Sequence, residues 1–141
     1  MTVYVDTSVL VAYYCPEPLS QKVEDFITVQ LKPAISALTE VELFSALSRK
    51  VREEGMGRKD ASRIASKFIS HVDHFMYAFL SLEDHHYRLA RDWIGLFKFP
   101  LRSLDALHLA IAASEKLTVV TADRNLSNSA KALGIGAILL K

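Results

Sequence analysis

Short runs of β-branched and aliphatic residues alternate along this chain with longer stretches whose apolar positions recur every three or four residues. Val3-Tyr4-Val5 is the first such run, and it ends at Asp6-Thr7-Ser8, where a strand is expected to feed a helix. Pro16 and Pro18 interrupt that helix, and an amphipathic helix is predicted from Leu19 to Val29 with Val23, Phe26 and Ile27 on one face. Ala34-Ile35-Ser36 reads as a second strand. Thr39 reads as the N-cap of a helix over Glu40–Glu54, with Leu43, Phe44, Leu47 and Val51 on its apolar face and Gly55 and Gly57 at its end. A further helix is predicted over Arg58–His71, with Ile64 and Phe68 inward.

Phe75–Leu82 is apolar enough for a strand, though its length also allows a helix. Glu83–Phe97 reads as a helix stopped before Pro100. Ser103 caps Leu104–Glu115, a helix so uniformly apolar that it must be buried on most sides. Thr118–Thr121 is a strand, Asn125–Leu133 a helix ended by Gly134, and Ala137–Leu140 a last strand. Strands alternating with helices predict an α/β fold with a parallel sheet covered on both faces, within a single domain over residues 1–141.

Composition narrows the functional classes only a little. Half the residues are hydrophobic and 23% charged, an ordinary globular balance. The lone Cys15 can form no internal disulfide, which suits a cytoplasmic protein. No apolar run approaches the roughly 18 residues that cross a bilayer. With 17 Lys+Arg against 16 Asp+Glu, any polyanion must be held by a local basic patch. Arg49–Lys67 can supply one, with Lys50, Arg52 and Lys59 as candidate contacts; a solvated helical surface is the simpler explanation for the same charges.

The candidate chemistry lies in four acids, Asp6, Glu42, Asp105 and Asp123, each expected where a strand ends or a helix begins. Singly, each has an innocent role: Asp6 and Asp123 as caps, Glu42 in a Thr39-x-x-Glu42 capping box, Asp105 as a helix-dipole partner. Jointly, they would share the carboxyl edge of an open parallel sheet, where functional crevices form. Acids gathered there raise one another's pKa or recruit a cation. Carboxylates favour Mg²⁺ or Mn²⁺, and such ions suit phosphodiester hydrolysis. Without Cys or paired His at ligand spacing, zinc fits poorly; His71 and His74 can share a helix face, and His108 can orient Asp105 or simply pack.

The segments V-Y-V-D-T-S-V-L, I-S-A-L-T-E-V-E-L, L-D-A-L-H-L-A and V-V-T-A-D-R-N-L, in that order, resemble the PIN domain, and most closely the VapC-type toxin nucleases of prokaryotic toxin–antitoxin operons. The resemblance implies a three-layer α/β/α sandwich and a Mg²⁺- or Mn²⁺-dependent endoribonuclease acting on single-stranded RNA. It carries the catalytic acids onto Asp6, Glu42, Asp105 and Asp123, with Asp6 and Asp105 as principal metal ligands. Thr7, Ser8 and Thr121 would support them. A homodimer and a small antitoxin partner are also implied. The T-A-D-R-N spacing around Asp123 departs from many relatives. The alternatives are a catalytically silent PIN-like module and an Asp-dependent phosphatase; the latter wants a second Asp where Ser8 stands.

Overall fold

The structure, a computed structural model, describes residues 3–141. Their chain order is β1 (Val3–Val5), α1 (Thr7–Tyr14), α2 (Ser20–Thr28), β2 (Ala34–Ser36), α3 (Ala37–Arg52), α4 (Arg58–Asp73), β3 (Ala78–Leu80), α5 (Asp84–Ile94), α6 (Ser103–Ser114), β4 (Thr118–Thr121), α7 (Arg124–Ala132) and β5 (Ala137–Leu139). The strands pair in the order β3-β2-β1-β4-β5, every pair parallel. The ambiguous Phe75–Leu82 stretch resolves as the edge strand β3, Ala78–Leu80.

Successive strand residues face opposite sides of the sheet, and the core divides accordingly. Val3, Val5, Ile35 and Val120 pack with α1 to α4, around Val9, Leu10, Ile27, Leu43 and Phe68. Tyr4, Ala34 and Val119 pack with α6 and α7, around Leu109, Ile111 and Leu126. The predicted α/β/α sandwich is therefore present. Helix α6 is buried from Ala106 to Ala112, because α5 covers the flank that the sheet leaves open through Ala90, Trp93 and Ile94. No helix among the described residues is long and apolar enough to cross a membrane.

Helix starts depart from the expected ones in a way that matters for the site. Ser36, not Thr39, caps α3: its hydroxyl accepts from the Thr39 amide while the Thr39 hydroxyl accepts from the Ser36 amide. The helix thus begins three residues earlier than Glu40, at Ala37, and Glu42 is released from any capping duty. Similarly, Arg102 occupies the N-cap of α6, and Ser103 is its first helical residue.

The chain runs from β1 outward to β2 and β3, then returns to place β4 on the other side of β1. The sheet order therefore reverses between β1 and β4, and their carboxyl ends flank the crevice that such a reversal opens.

Candidate active site

Asp6 comes directly after β1, and its amide continues the strand ladder by donating to the Val120 carbonyl at 3.0 Å. The side chain is 4% exposed. Its Oδ1 accepts from the Ser8 hydroxyl at 2.6 Å and the Val9 amide at 3.3 Å, and Oδ2 accepts from the Thr121 hydroxyl at 2.7 Å. Burial pushes its carboxyl above the ordinary range; the Ser8 and Thr121 hydrogen bonds, the nearby His108 and the Val9 amide pull back only part of that rise. The expected carboxylate–carboxylate repulsion is not the cause; desolvation is.

Ser8 and Thr121 are also the seam between β1 and β4. The Ser8 hydroxyl accepts from the Ala122 amide at 3.0 Å, and the Thr121 hydroxyl accepts from the Asp123 amide at 2.9 Å. At the position where a phosphatase of the alternative class wants a second acid, Ser8 thus donates to Asp6 instead.

Glu42 reaches the same edge from α3. Its Oε1 accepts from the Thr7 hydroxyl at 2.7 Å and from His108 Nε2. Burial works to raise the Glu42 pKa, but the His108 hydrogen bond and charge, Thr7 and Arg102 outweigh it and hold the carboxyl below its ordinary range. His108, expected to serve Asp105 or to pack, serves Glu42.

Asp105, in the first turn of α6, accepts at Oδ2 from Arg102 Nε at 3.0 Å. Asp123 caps α7, accepting at Oδ1 from the Asn125 amide at 2.9 Å and the Leu126 amide at 3.3 Å. Arg102 feels three of the acids: its pKa is pushed up first by Asp105, then by the more distant Asp123 and Glu42. The acids therefore share one neighbourhood without forming one ligand cluster, and among the described residues no three Asp, Glu, His or Cys side chains gather for joint coordination. The reason lies in the partners each acid has found: hydroxyls for Asp6 and Glu42, a guanidinium for Asp105, helix amides for Asp123.

A groove of ≈ 540 Å³ opens beside these residues, lined by Thr7, Ser8 and Glu42 on one side and by Arg49, Lys50 and Arg102 around it. Of the three basic residues singled out in the sequence, Lys50 lies in this lining; Arg52 turns back to the Ser48 hydroxyl at 2.7 Å, and Lys59 stands on α4. Arg49, which opens the predicted basic segment, lines the groove as well, and Arg102 is the basic lining residue that charge counting along the chain did not include. Arg102 was legible only as the residue three before Asp105, the i,i+3 spacing of a helical pair. His71 and His74 bond Tyr14 and the Ser70 carbonyl separately.

An open parallel sheet thus carries a buried acid at its reversal point, a second acid clamped beside it and a groove with Arg49, Lys50 and Arg102 in its lining. The sequence pattern of the PIN domain matches residues 3–132, and the chain belongs to that family. It is 31% identical over 141 residues to "Ribonuclease VapC46" of Mycobacterium tuberculosis, covering 96% of this chain and 95% of that protein, which places it with the VapC-type members of that family. Its fold is shared with FitAcB from Neisseria gonorrhoeae, with a TM-score of 0.76 and 19% identity over 97% of this chain and 96% of that one. A toxin–antitoxin complex from Klebsiella pneumoniae contains a chain of the same fold, with a TM-score of 0.70 and 13% identity over 100% of this chain and 98% of that one.

Proposed function

We propose that this protein is a Mg²⁺- or Mn²⁺-dependent endoribonuclease that cuts single-stranded RNA, and that it is the toxin of a toxin–antitoxin pair. The observation that carries this is Asp6: a buried carboxylate at the β1/β4 reversal, beside Glu42 and a groove rimmed by Arg49, Lys50 and Arg102.

The donor set fits a hard divalent ion. It consists of carboxylate and hydroxyl oxygens without thiol, and Mg²⁺ is commonly held by one or two carboxylates with waters completing the shell. Asp6 and Asp105 are the residues that would hold it, and its charge would relieve the desolvation that burial imposes on Asp6. Such an ion supplies an activated water and neutralises charge on the phosphate. Glu42, held ionised at neutral pH by its depressed pKa, is suited to accepting a hydrogen bond from a water and orienting it. Thr7 fixes that carboxylate. Arg49, Lys50 and Arg102 offset backbone phosphate charge along the groove. Asp123, which caps α7 through Oδ1, would complete the site beside Glu42.

An antitoxin partner is supported by the Klebsiella toxin–antitoxin complex of like fold. The C-terminal segment of that partner would cover the groove lined by Glu42, Arg49, Lys50 and Arg102. A single domain acting in the cytoplasm, as a homodimer, completes the proposal.

Asp6→Asn is the test. It is expected to abolish most cleavage of a single-stranded RNA and to remove the stabilisation by Mn²⁺, about 1.4 kcal/mol at tenfold the dissociation constant in the parent protein. Cleavage by Asp6→Asn at the parent rate would overturn the proposal.

A further inference from the structure

Behind Glu42 lies a chain of buried polar groups that no part of the nuclease reading uses. His108 Nε2 meets Glu42 Oε1; His108 Nδ1 lies 2.6 Å from the Tyr4 hydroxyl; that hydroxyl lies 2.8 Å from Ser36 Oγ and 3.3 Å from Thr39 Oγ1. Tyr4, Ser36 and Thr39 are 0% exposed and His108 is 3% exposed. These four residues come from β1, β2, α3 and α6, so the chain ties together two strands and two helices at the site.

We infer that His108 is a positioning residue for Glu42, locked from behind by Tyr4 and the Ser36–Thr39 cap, and that it fixes which carboxylate oxygen Glu42 offers to the groove. This rests on the nuclease reading above. An ionised carboxylate only accepts, so the atom facing it, His108 Nε2, must carry a proton. The other ring nitrogen faces a hydroxyl that both donates and accepts. Tyr4 therefore matches the ring in either protonation state, donating to a bare Nδ1 or accepting from Nδ1–H. Ser36 and Thr39 hold the Tyr4 oxygen from the other side and are themselves the reciprocal cap of α3, the helix that carries Glu42.

The geometry at Glu42 is asymmetric. Thr7 and His108 both address Oε1, and among the described residues Oε2 takes no hydrogen bond. Two donors on one oxygen fix the rotation of the carboxylate and leave its other oxygen free for a water or a substrate hydroxyl. A buried polar chain costs desolvation that an aliphatic pair would not, so its termination on a site acid points to positioning rather than packing.

The experiment compares His108→Leu, His108→Gln and Tyr4→Phe with the parent protein. Gln keeps an N–H near the place of Nε2; Leu keeps the bulk alone. Steady-state cleavage of a single-stranded RNA is expected to show kcat lower by roughly 10- to 100-fold in His108→Leu with KM nearly unchanged. His108→Gln should recover most of that loss, and Tyr4→Phe should fall between. Independently of catalysis, ¹⁵N-edited spectra should show a proton on His108 Nε2 in the parent protein, with the resonance assigned by its loss in His108→Gln. The inference is overturned by a parental kcat in His108→Leu, by His108→Gln cutting no faster than His108→Leu when both melt cooperatively, or by a bare Nε2. Failure of the nuclease reading shows up elsewhere, as undiminished cleavage by Asp6→Asn, and the Nε2 resonance tests the clamp whether or not the protein cuts RNA.

Discussion

Asp6 is an acid placed where ionisation is costly: four donors or charges favour its carboxylate, yet burial still raises its pKa. The consequence for stability has a definite sign. Below the unfolded pKa of about 3.9, Asp6 is protonated in both states and adds no penalty. As pH rises from there through the raised folded value, the unfolded chain loses its proton more readily, and the native state is progressively disfavoured. In the presence of chelator, the stability of the parent protein relative to Asp6→Asn should therefore fall as pH rises above roughly 4. Calorimetric melting of the two proteins across that rise checks it; a difference that stays flat or grows with pH would show that Asp6 is not desolvated. Glu42 has the opposite sign, since its folded pKa is depressed: it contributes stability above its unfolded value and loses it as pH falls.

Helix ends show how local geometry can be set by residues that a sequence reading passes over. Helices α3, α4, α6 and α7 all close with paired carbonyl bonds from the two residues past the cap, including Gly55 to Lys50 at 2.9 Å, Met76 to His71 at 3.0 Å, Leu117 to Ala112 at 2.8 Å and Ile135 to Ala130 at 2.8 Å. Each needs a left-handed residue in between, and only α7 uses glycine there, Gly134 at φ 78°. The other three use Glu54 at φ 60°, Phe75 at φ 58° and Lys116 at φ 57°. Gly55, expected to end α3, sits one position too late to take the strained conformation. Glu54→Gly should therefore stabilise the fold by about 0.5–1 kcal/mol, relief of left-handed strain exceeding the added freedom of the unfolded chain. Denaturant titration reads this directly, and an unchanged or lowered midpoint would contradict it.

Across the whole molecule the charges nearly cancel, so RNA binding must come from how a few cations are arranged. Arg49 and Lys50 project from the last turns of α3 into the groove, while Arg52 and Lys59 lie outside its lining. Replacing Arg49 and Lys50 together with Gln should flatten the slope of log Kd against log salt by about 1.4 for a single-stranded RNA, about 0.7 for each lost phosphate contact. The Arg52→Gln, Lys59→Gln pair should leave that slope as it was. Filter binding with an uncleavable RNA distinguishes the two, and equal effects would show that the RNA path is not confined to the groove.

Hydrophobic periodicity was enough to read the alternation of strands and helices, and with it the parallel sheet and the two helical layers, because each element must bury an apolar face whatever its neighbours are. Asp6, Asp105 and Asp123 were legible as boundary acids, since each stands at a strand end or helix start, whereas Glu42 lies a turn deeper in α3 than the chain suggests. What the folded state decided was pairing at a distance. Ser36 displaced Thr39 as the α3 cap because its hydroxyl faces both the Thr39 amide and the Tyr4 ring, 32 residues away in sequence. His108 found Glu42, 66 residues away, only because α6 and α3 meet over the end of β1. The strand order put β4 against Asp6, whose carboxylate takes the Thr121 hydroxyl 115 residues away. Local pattern comes from the covalent chain, but which polar groups satisfy each other in the interior depends on the closest approach of elements that the chain itself keeps far apart.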